Sequence, residues 1–311
     1  MRCSQCSHKE KNAFKRCAHC GHEAVADVKV DGIGDPGLKK ATAKLAHEDT
    51  VYFLPTHLGY EILRIFHHKG AGLSRPLKVS MTMLLTGIVF WLADSLFAAC
   101  IVGGIGLLLS LAKAPRPDNV FTLAEQFLTV NPHPFLVPNE VPEETLKVDF
   151  KRLLVCDHTV FKDFLCANQW PLRNACAVIG PDTPARLLPT NVTHVFILHD
   201  LTPNGLMFAQ QVVSDWSSTR PAVDLLDLGL FPDQQTLFAN FLQPLDNIHD
   251  AGLGIVGGLP EGLGIDLSVF RPGLMLSLLS KSLEAEKPLG RTGEEDDSGT
   301  GGFSVESGAD E

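Results

Sequence analysis

The chain has 311 residues, of which 45% are hydrophobic and 20% are charged, and its formal net charge is −10. This composition excludes an intrinsically disordered chain and a simple coiled coil, and eight cysteines are too few for a disulfide scaffold of this length. The charge is unevenly distributed, because residues 1–76 carry 12 basic and 8 acidic residues whereas residues 114–283 carry 10 basic and 18 acidic ones. A nucleic-acid-binding surface over the whole chain is therefore not expected, although a basic N-terminal module stays open.

The first element is a pair of CxxC motifs separated by ten residues. Their cysteines are Cys3, Cys6, Cys17 and Cys20. Two such motifs allow four thiolates to surround one tetrahedral Zn²⁺ ion, whereas a single motif would leave a redox role open. Gly21 follows the second motif, where a knuckle turn favours a residue that tolerates positive φ. The spacing predicts a zinc ribbon over residues 1–30, a fold that binds nucleic acid, protein or only zinc.

Residues 31–76 are predicted to form a short, mainly helical segment. A helix is expected over residues 38–47, and Thr56 offers an N-cap for a second helix with a regular apolar face. A short strand is expected at residues 52–54, between the two helices. Helix, strand and helix in this order fit a truncated winged-helix-like unit or a helical connector to a membrane segment, and the sequence does not separate these alternatives.

Residues 77–112 form an apolar stretch that is interrupted by Lys78 and Asp94. A single helix of 36 residues would be roughly 54 Å long, well above the ~30 Å hydrocarbon core of a bilayer. Two short transmembrane helices fit better, with Asp94 near the turn between them. Basic residues flank both ends, which places both ends in the cytoplasm. A buried helix pair in a soluble core is the alternative.

These features predict the location of the protein. No apolar run precedes the CxxC motifs, so no secretory signal peptide is expected and the thiolates are placed in the reducing cytoplasm. The transmembrane hairpin would anchor the chain in the cell's inner, cytoplasmic membrane, with both soluble parts facing the cytoplasm. The membrane is therefore one expected partner.

The two segments that border the C-terminal domain are predicted to lack regular structure. Residues 113–142 contain six prolines and are interpreted as a Pro-rich linker. Residues 284–311 are acidic and rich in glycine and serine, and are interpreted as a disordered tail.

Between these segments, residues 143–283 have the pattern of an α/β domain. Short, continuous apolar runs alternate with amphipathic segments, which is typical of a parallel sheet covered by helices. The expected strands cover residues 151–156, 175–179, 194–198 and 223–226, and the expected helices include residues 160–165 and 206–216. The overall fold class is therefore α/β, with an N-terminal zinc ribbon, a two-helix transmembrane hairpin and a C-terminal parallel-sheet domain.

Aspartates follow two of the predicted strands, Asp157 after the first and Asp200 after the third. Ligands of parallel sheets bind beyond the carboxyl ends of strands, so both positions are candidates for a site. The alternative is structural, because aspartate often ends a strand and caps the following turn.

Three segments in this domain resemble the Toprim family. Residues 153–161 are similar to its first strand and following helix, and residues 196–205 are similar to its DxDxxG segment. Residues 228–233 resemble the LGxxPxD stretch found further along. The resemblance covers roughly residues 150–235 and is closest to the A subunit of topoisomerase VI and its meiotic recombination relatives.

The resemblance implies which residues would carry chemistry. The family uses three acidic positions to hold Mg²⁺ for phosphodiester chemistry, and Asp157 and Asp200 match the first two. Thr202 stands at the third, where a neutral hydroxyl is a poorer Mg²⁺ ligand than a carboxylate. The family's catalytic tyrosine lies on a preceding winged-helix domain, and Tyr60 occupies a similar context.

Two functions are consistent with these patterns. The first is a membrane-anchored cytoplasmic zinc-ribbon protein whose degenerate Toprim-like domain binds or scaffolds an unidentified protein partner. The alternative is a Mg²⁺-dependent phosphoryl-transfer or nuclease-like enzyme that acts on nucleic acid through Asp157, Asp200 and Tyr60. The excess of acidic residues over residues 114–283 opposes DNA binding and favours the first function.

Overall fold

The computed structural model describes residues 6, 8, 16–21, 23–26, 28–47, 50–71, 119–138, 150–183, 190–245 and 262–289. The chain divides into two compact units, which we call the N-terminal unit and the sheet unit. The N-terminal unit consists of Met1–Val137 and Ala239–Leu242, and the sheet unit consists of Pro138–Phe238 and Gln243–Glu311.

The N-terminal unit is helical over most of its described length. Its helices are α1 (Val28–Asp31), α2 (Asp35–Leu45), α3 (Pro55–Ala71) and α4 (Val120–Val130). The two helices predicted before residue 76 are confirmed as α2 and α3, and α3 begins one residue before the expected cap at Thr56. The carboxylate of Asp35 accepts hydrogen bonds from the backbone N–H groups of Val25 and Ala26, which fixes the preceding chain against the start of α2.

The prediction of a linker over residues 113–142 is wrong for the part that forms α4. The Asn119 side chain caps this helix by accepting hydrogen bonds from the N–H groups of Phe121 (2.9 Å) and Thr122 (3.2 Å). The prolines lie outside the helix, where they do not break its hydrogen bonds. The residues between them form a buried apolar face that packs in the N-terminal unit. This face consists of Val120, Phe121, Leu123, Ala124, Phe127 and Leu128.

Strand-like pairing in this unit is limited to isolated bridges among the residues that the structure describes. Phe53, in the predicted strand 52–54, forms a parallel bridge with Leu136. Its N–H donates to the Phe135 carbonyl (2.9 Å), and its carbonyl accepts from the Val137 N–H (3.0 Å).

The predicted transmembrane hairpin, residues 77–112, lies outside the described residues. Within the described ranges, no helix combines the length and apolar character needed to cross a membrane.

The sheet unit contains a four-stranded parallel sheet, as predicted. Its strands are β1 (Arg152–Cys156), β2 (Cys176–Ile179), β3 (His194–Leu198) and β4 (Asp224–Asp227), in the order β2-β1-β3-β4. The helices between them are α5 (Thr159–Ala167), α6 (Trp170–Arg173) and α7 (Pro203–Thr219). Alternate strand residues pack with α7 into one apolar core, which includes Leu153, Val155, Val195, Ile197, Val212 and Trp216.

Four short elements and one helix follow the sheet. They are a 3₁₀ helix at Pro232–Phe241, β5 (Gln243–Pro244), β6 (Leu263–Gly264), a second 3₁₀ helix at Leu267–Val269 and α8 (Pro272–Ala285). Leu201, just after β3, forms an antiparallel bridge with Ile265, just after β6. This bridge brings a distant segment to the edge of the sheet at which β3 ends.

Residues 284–289, the first part of the predicted disordered tail, are ordered in the structure. Leu283 and Leu289 are both buried, and α8 continues to Ala285. The N–H of Leu289 donates to the Leu228 carbonyl (3.2 Å), and the Gln234 side-chain amide donates to the Leu289 carbonyl. Residues 284–289 therefore pack on the sheet unit, because Leu289 supplies an apolar anchor within an otherwise acidic stretch. The rest of the predicted tail lies outside the described residues.

Candidate metal centre

The structure brings Asp157 and Asp200 together at the carboxyl edge of the sheet. Cys156 and Leu198, at the ends of β1 and β3, are in register, so both aspartates leave the sheet at the same edge. The backbone N–H of Asp200 donates a hydrogen bond of 2.8 Å to Oδ2 of Asp157. The sequence-based expectation that the two aspartates share one edge is confirmed.

One oxygen of Asp157 lacks a hydrogen-bond partner among the described residues. Its Oδ1 atom is buried and makes no hydrogen bond to any part of the chain that the structure describes. A buried acceptor without a partner costs about 1–3 kcal/mol, so such atoms are rare in folded proteins. A cation placed against Oδ1 would remove this cost.

Asp200 is almost completely buried, with 2% of its surface exposed. Its Oδ1 accepts a hydrogen bond of 2.7 Å from the Leu267 N–H, and its Oδ2 lies 3.4 Å from Nε2 of His158. Asp157, His158 and Asp200 each place one potential ligand atom within 4.8 Å of the other two. Two ligands of the same ion are roughly 3 to 4 Å apart, so small side-chain movements allow the three residues to share one ion.

The electrostatics of this cluster favour a bound cation. Burial, together with the charges of Asp266 and Asp157, holds the pKa of Asp200 well above its usual range. Burial is also the main reason that the pKa of Asp157 is raised. The hydrogen bond to Asp200 raises the pKa of His158 to about 9, so this imidazole is positively charged at neutral pH. The proton on His158 thus partly compensates the acidic groups, and a divalent cation that displaces this proton would compensate them more fully.

Asp266 is a charged neighbour of this cluster that sequence reasoning missed. It follows Ile265, whose N–H and carbonyl both pair with the backbone of Leu201 at 3.0 and 2.9 Å. Its charge raises the pKa values of Asp157, His158 and Asp200. No motif surrounds Asp266, and only the pairing of two distant segments places it here.

Thr202 has a structural role as the N-cap of α7. Its hydroxyl accepts a hydrogen bond of 3.0 Å from the Gly205 N–H and caps α7, and the residue is 1% exposed. The third acidic position of the Toprim-like pattern is therefore a helix cap in this chain. The absence of a side chain at Gly205 lets the first turn of α7 lie close to Asp157 and Asp200. A Cβ there would overlap the Asp200 carbonyl oxygen and lie 3.2 Å from Oδ2 of Asp157.

A histidine–aspartate pair beside Asp200 was also not predicted from the sequence. His199 is fully buried, with Nε2 3.1 Å from Oδ1 of Asp227 and Nδ1 2.8 Å from the carbonyl oxygen of Asp200. Burial acts to lower the pKa of His199, but its hydrogen bonds to Asp227 and to the Asp200 carbonyl outweigh burial and leave that pKa raised. A protonated ring can donate to both oxygens, and it ties the end of β3 to the end of β4.

Tyr60, the predicted catalytic tyrosine, is a core residue of the N-terminal unit. Its side chain is 0% exposed and packs edge-to-face on Phe121 of α4, with the ring centroids 5.1 Å apart. A fully buried hydroxyl is not offered to a substrate, so this structure does not support the predicted catalytic role of Tyr60. The contacting ring belongs to a segment that was interpreted as a linker, which is why the burial was not foreseen.

A second cluster of potential ligands lies in the N-terminal unit. Cys6, Cys17 and Cys20 place their sulfur atoms within 4.8 Å of one another, and the Sγ atoms of Cys6 and Cys17 are 3.7 Å apart. Gly21 has φ of 73° and donates its N–H to the Cys17 carbonyl (2.9 Å), so the predicted knuckle turn is confirmed. These three cysteines can bind a metal ion. Cys3, the fourth predicted ligand, lies outside the described residues.

Comparison with known proteins found no relative of this chain. No protein-family model, curated protein or solved structure matches the chain. The resemblance to the Toprim family therefore rests on residues 153–161, 196–205 and 228–233 of the sequence.

Proposed function

We propose that the sheet unit binds a divalent cation at Asp157, His158 and Asp200 and uses this cation to hold a phosphate-bearing ligand. The observation that carries the proposal is the buried Oδ1 atom of Asp157, which lacks a partner among the described residues and belongs to a cluster with closely spaced ligand atoms. Mg²⁺ is the ion that the Toprim resemblance implies, and carboxylate oxygens are its usual protein ligands.

The surroundings of the cluster support a phosphate-bearing ligand. The 17-residue helix α7 begins immediately after Asp200 and Thr202, so the positive end of its dipole lies at the same edge of the sheet. Helix N-termini and metal ions both favour phosphate groups. The side chain of His158 is 42% exposed, which leaves the cluster reachable from solvent on this side.

A binding role is better supported than phosphodiester cleavage. The hydroxyl of Thr202 is committed to capping α7, and Tyr60 is buried in the other unit. The two additional groups that the Toprim resemblance implies for cleavage are thus not offered to a substrate. Phosphoryl transfer remains the second candidate function because Asp266 brings a further carboxylate charge to the cluster.

Calorimetric titration of the full-length protein tests the cation site. The protein is first loaded with one molar equivalent of Zn²⁺, which thiolates bind in preference to carboxylates and imidazole, and is then titrated with MgCl₂ or MnCl₂. Asp157→Asn should abolish binding while keeping an oxygen that accepts from the Asp200 N–H. Asp215→Asn, an exposed helix residue in the same unit, is the matched control and should bind as the wild type does. Absence of binding of either ion to the wild type overturns the proposal.

The metal-loaded protein separates the two candidate functions. Inorganic phosphate should bind the wild type only in the presence of the cation, and it should not bind Asp157→Asn. Hydrolysis of bis(p-nitrophenyl) phosphate that requires the cation and is lost in Asp157→Asn would favour phosphoryl transfer over recognition.

We also infer that Cys6, Cys17 and Cys20 bind Zn²⁺, with Cys3 as the fourth ligand. Two thiolates on one tetrahedral Zn²⁺ are about 3.8 Å apart, and the Sγ atoms of Cys6 and Cys17 are separated by 3.7 Å. The ion would supply stability that so small a module lacks on its own.

Membrane anchoring by residues 77–112 stays part of the proposal. The support for it is the apolar character of this stretch and its basic flanks. Retention of the full chain in the membrane fraction after an alkaline wash is the expected result, and its release would contradict anchoring.

A further inference from the structure

His158 occupies a position that a helix-capping residue would normally take. It is the N-cap residue of α5, with φ of −122° and ψ of 132°, yet its side chain makes no capping hydrogen bond to the described start of that helix. Serine, threonine, aspartate and asparagine are the usual residues at this position because their oxygens accept from the first turn. The imidazole is directed to the acidic cluster instead, with Nε2 3.4 Å from Oδ2 of Asp200.

The imidazole lies on the solvent side of the cluster. The side chain of His158 is 42% exposed, whereas that of Asp200 is 3% exposed. An ion that enters from solvent therefore meets the ring before it reaches the buried carboxylate. A residue at this position can contribute to the ion selectivity of the site.

The mixed donor set has a consequence for the identity of the ion. Mg²⁺ prefers oxygen ligands in regular octahedral geometry, whereas imidazole nitrogen is a good ligand for first-row transition ions. We propose that His158 is a direct nitrogen ligand that makes this site select Mn²⁺ over Mg²⁺, and this inference rests on the cation site proposed above. The entering ion displaces a proton from the imidazole to solvent, so that the neutral ring is the ligand. The carboxylates of Asp157 and Asp200 supply the oxygen ligands that Mn²⁺ also accepts.

A second histidine–aspartate pair in the same unit provides a matched control. Nε2 of His194 lies 3.6 Å from Oδ2 of Asp224, and the His194 side chain is 39% exposed, similar to that of His158. The Asp224 side chain is 84% exposed, however, so this pair is open to water. Neither residue belongs to a described group of closely spaced ligand atoms. Removal of the His194 imidazole disrupts a similar histidine–aspartate contact without changing the site.

The test measures Mn²⁺ and Mg²⁺ affinity in the full chain with its cysteine cluster saturated by Zn²⁺. We expect His158→Gln to weaken Mn²⁺ binding by about tenfold or more and Mg²⁺ binding by much less, so that the ratio of the two affinities falls. His194→Gln should leave both affinities unchanged. Pulsed electron paramagnetic resonance of bound Mn²⁺ should show ¹⁴N modulation from a directly bound imidazole in the wild type, and His158→Gln should lose it.

The outcomes separate this inference from the proposed function. Mn²⁺ binding to the wild type without ¹⁴N modulation overturns the role of His158 and leaves the cation site in place. A ratio of Mn²⁺ to Mg²⁺ affinity that is unchanged in His158→Gln also overturns the role of His158 and leaves the cation site in place. If the wild type binds neither ion, the proposed function and this inference both fall. The wild-type spectrum decides the question even if His158→Gln does not fold.

Discussion

Gly229 packs directly against the imidazole ring of His199, since a Cβ at residue 229 would overlap the Cδ2, Nε2 and Cγ atoms of that ring. The His199 ring in turn spans the Asp227 carboxylate and the Asp200 carbonyl. The absence of a side chain at residue 229 is therefore what allows the ends of β3 and β4 to be joined through His199.

The first prediction follows from this contact. Gly229→Ala should lower the free energy of unfolding by about 1–3 kcal/mol, because the ring or the backbone must move to admit the methyl group. Urea unfolding of the full chain measures this change. Gly273→Ala in α8 is the control, since no described atom lies within 4 Å of a Cβ at that position, and alanine favours a helix over glycine. Equal stability of the two variants would contradict the close packing.

The second prediction concerns the charge of Asp266. Asp266→Asn should weaken Mn²⁺ binding by roughly three- to tenfold, because it removes a negative charge that acts on Asp157, His158 and Asp200. Asp266 also caps the 3₁₀ helix Leu267–Val269 by accepting from the Ser268 N–H. Asparagine caps as well as aspartate, so the melting temperature should stay within about 1 °C of the wild-type value.

Calorimetry and thermal melting of the same samples provide the check on Asp266. Asp215→Asn removes an equal charge from an exposed site in the sheet unit and should bind Mn²⁺ as the wild type does. If Asp266→Asn bound Mn²⁺ with the wild-type affinity, the Asp266 charge would have no role in cation binding.

The third prediction is a pH dependence in the N-terminal unit. Burial, reinforced by the nearby Arg64, lowers the pKa of His57 from 6.5 to about 3, and its Nδ1 accepts a hydrogen bond of 2.9 Å from the Leu54 N–H. Because the folded-state pKa is depressed, the unfolded chain binds more protons below pH 6.5. The stability contribution is therefore complete above pH 6.5 and declines as the pH falls toward 3. Between pH 7 and pH 5 the loss should be about 2 kcal/mol.

Hydrogen exchange of the α3 amides at the two pH values, after correction for intrinsic rates, measures this loss. In His57→Asn the amide oxygen can accept from the Leu54 N–H, but the side chain does not titrate, so the pH dependence should largely disappear. A pH dependence in His57→Asn equal to that of the wild type would show that another group is responsible.

The fourth prediction concerns the cysteine cluster. The purified chain should contain about one Zn²⁺ per molecule, and Cys17→Ser should lose it, because Cys17 is the buried member of the cluster. Elemental analysis measures the metal content. Cys166→Ser, at a half-buried cysteine of α5, should keep the full zinc content. Zinc well below one equivalent in the wild type would overturn the assignment of this ion.

Much of the sheet unit could be predicted because its information is local. Runs such as Leu153–Cys156 are continuously apolar, which is the pattern of a strand buried on both faces. Once the strands are parallel, the aspartates that follow β1 and β3 must lie at one edge, and the structure places Asp157 and Asp200 there. The knuckle turn at Gly21 could be predicted for the same reason, since it depends only on the adjacent CxxC motif.

The remaining features depend on contacts between distant residues. The proximity of Asp266 to the cluster requires the pairing of Leu201 with Ile265, which no local pattern encodes. The His199–Asp227 pair requires β3 and β4 to be neighbours. The helix α4 was not predicted because its flanking prolines favour a linker, whereas its apolar face is buried by packing within the N-terminal unit.

The bridge between Leu201 and Ile265 also determines when the acidic cluster can be completed during synthesis. Asp157 and Asp200 leave the ribosome well before Asp266 and before Leu267, whose N–H binds Asp200. Closure of so long a loop is slow compared with local helix formation. A nascent chain that ends before residue 265 therefore carries two neighbouring carboxylates without their C-terminal partner, and the segment that follows β6 is the last piece of the site to arrive.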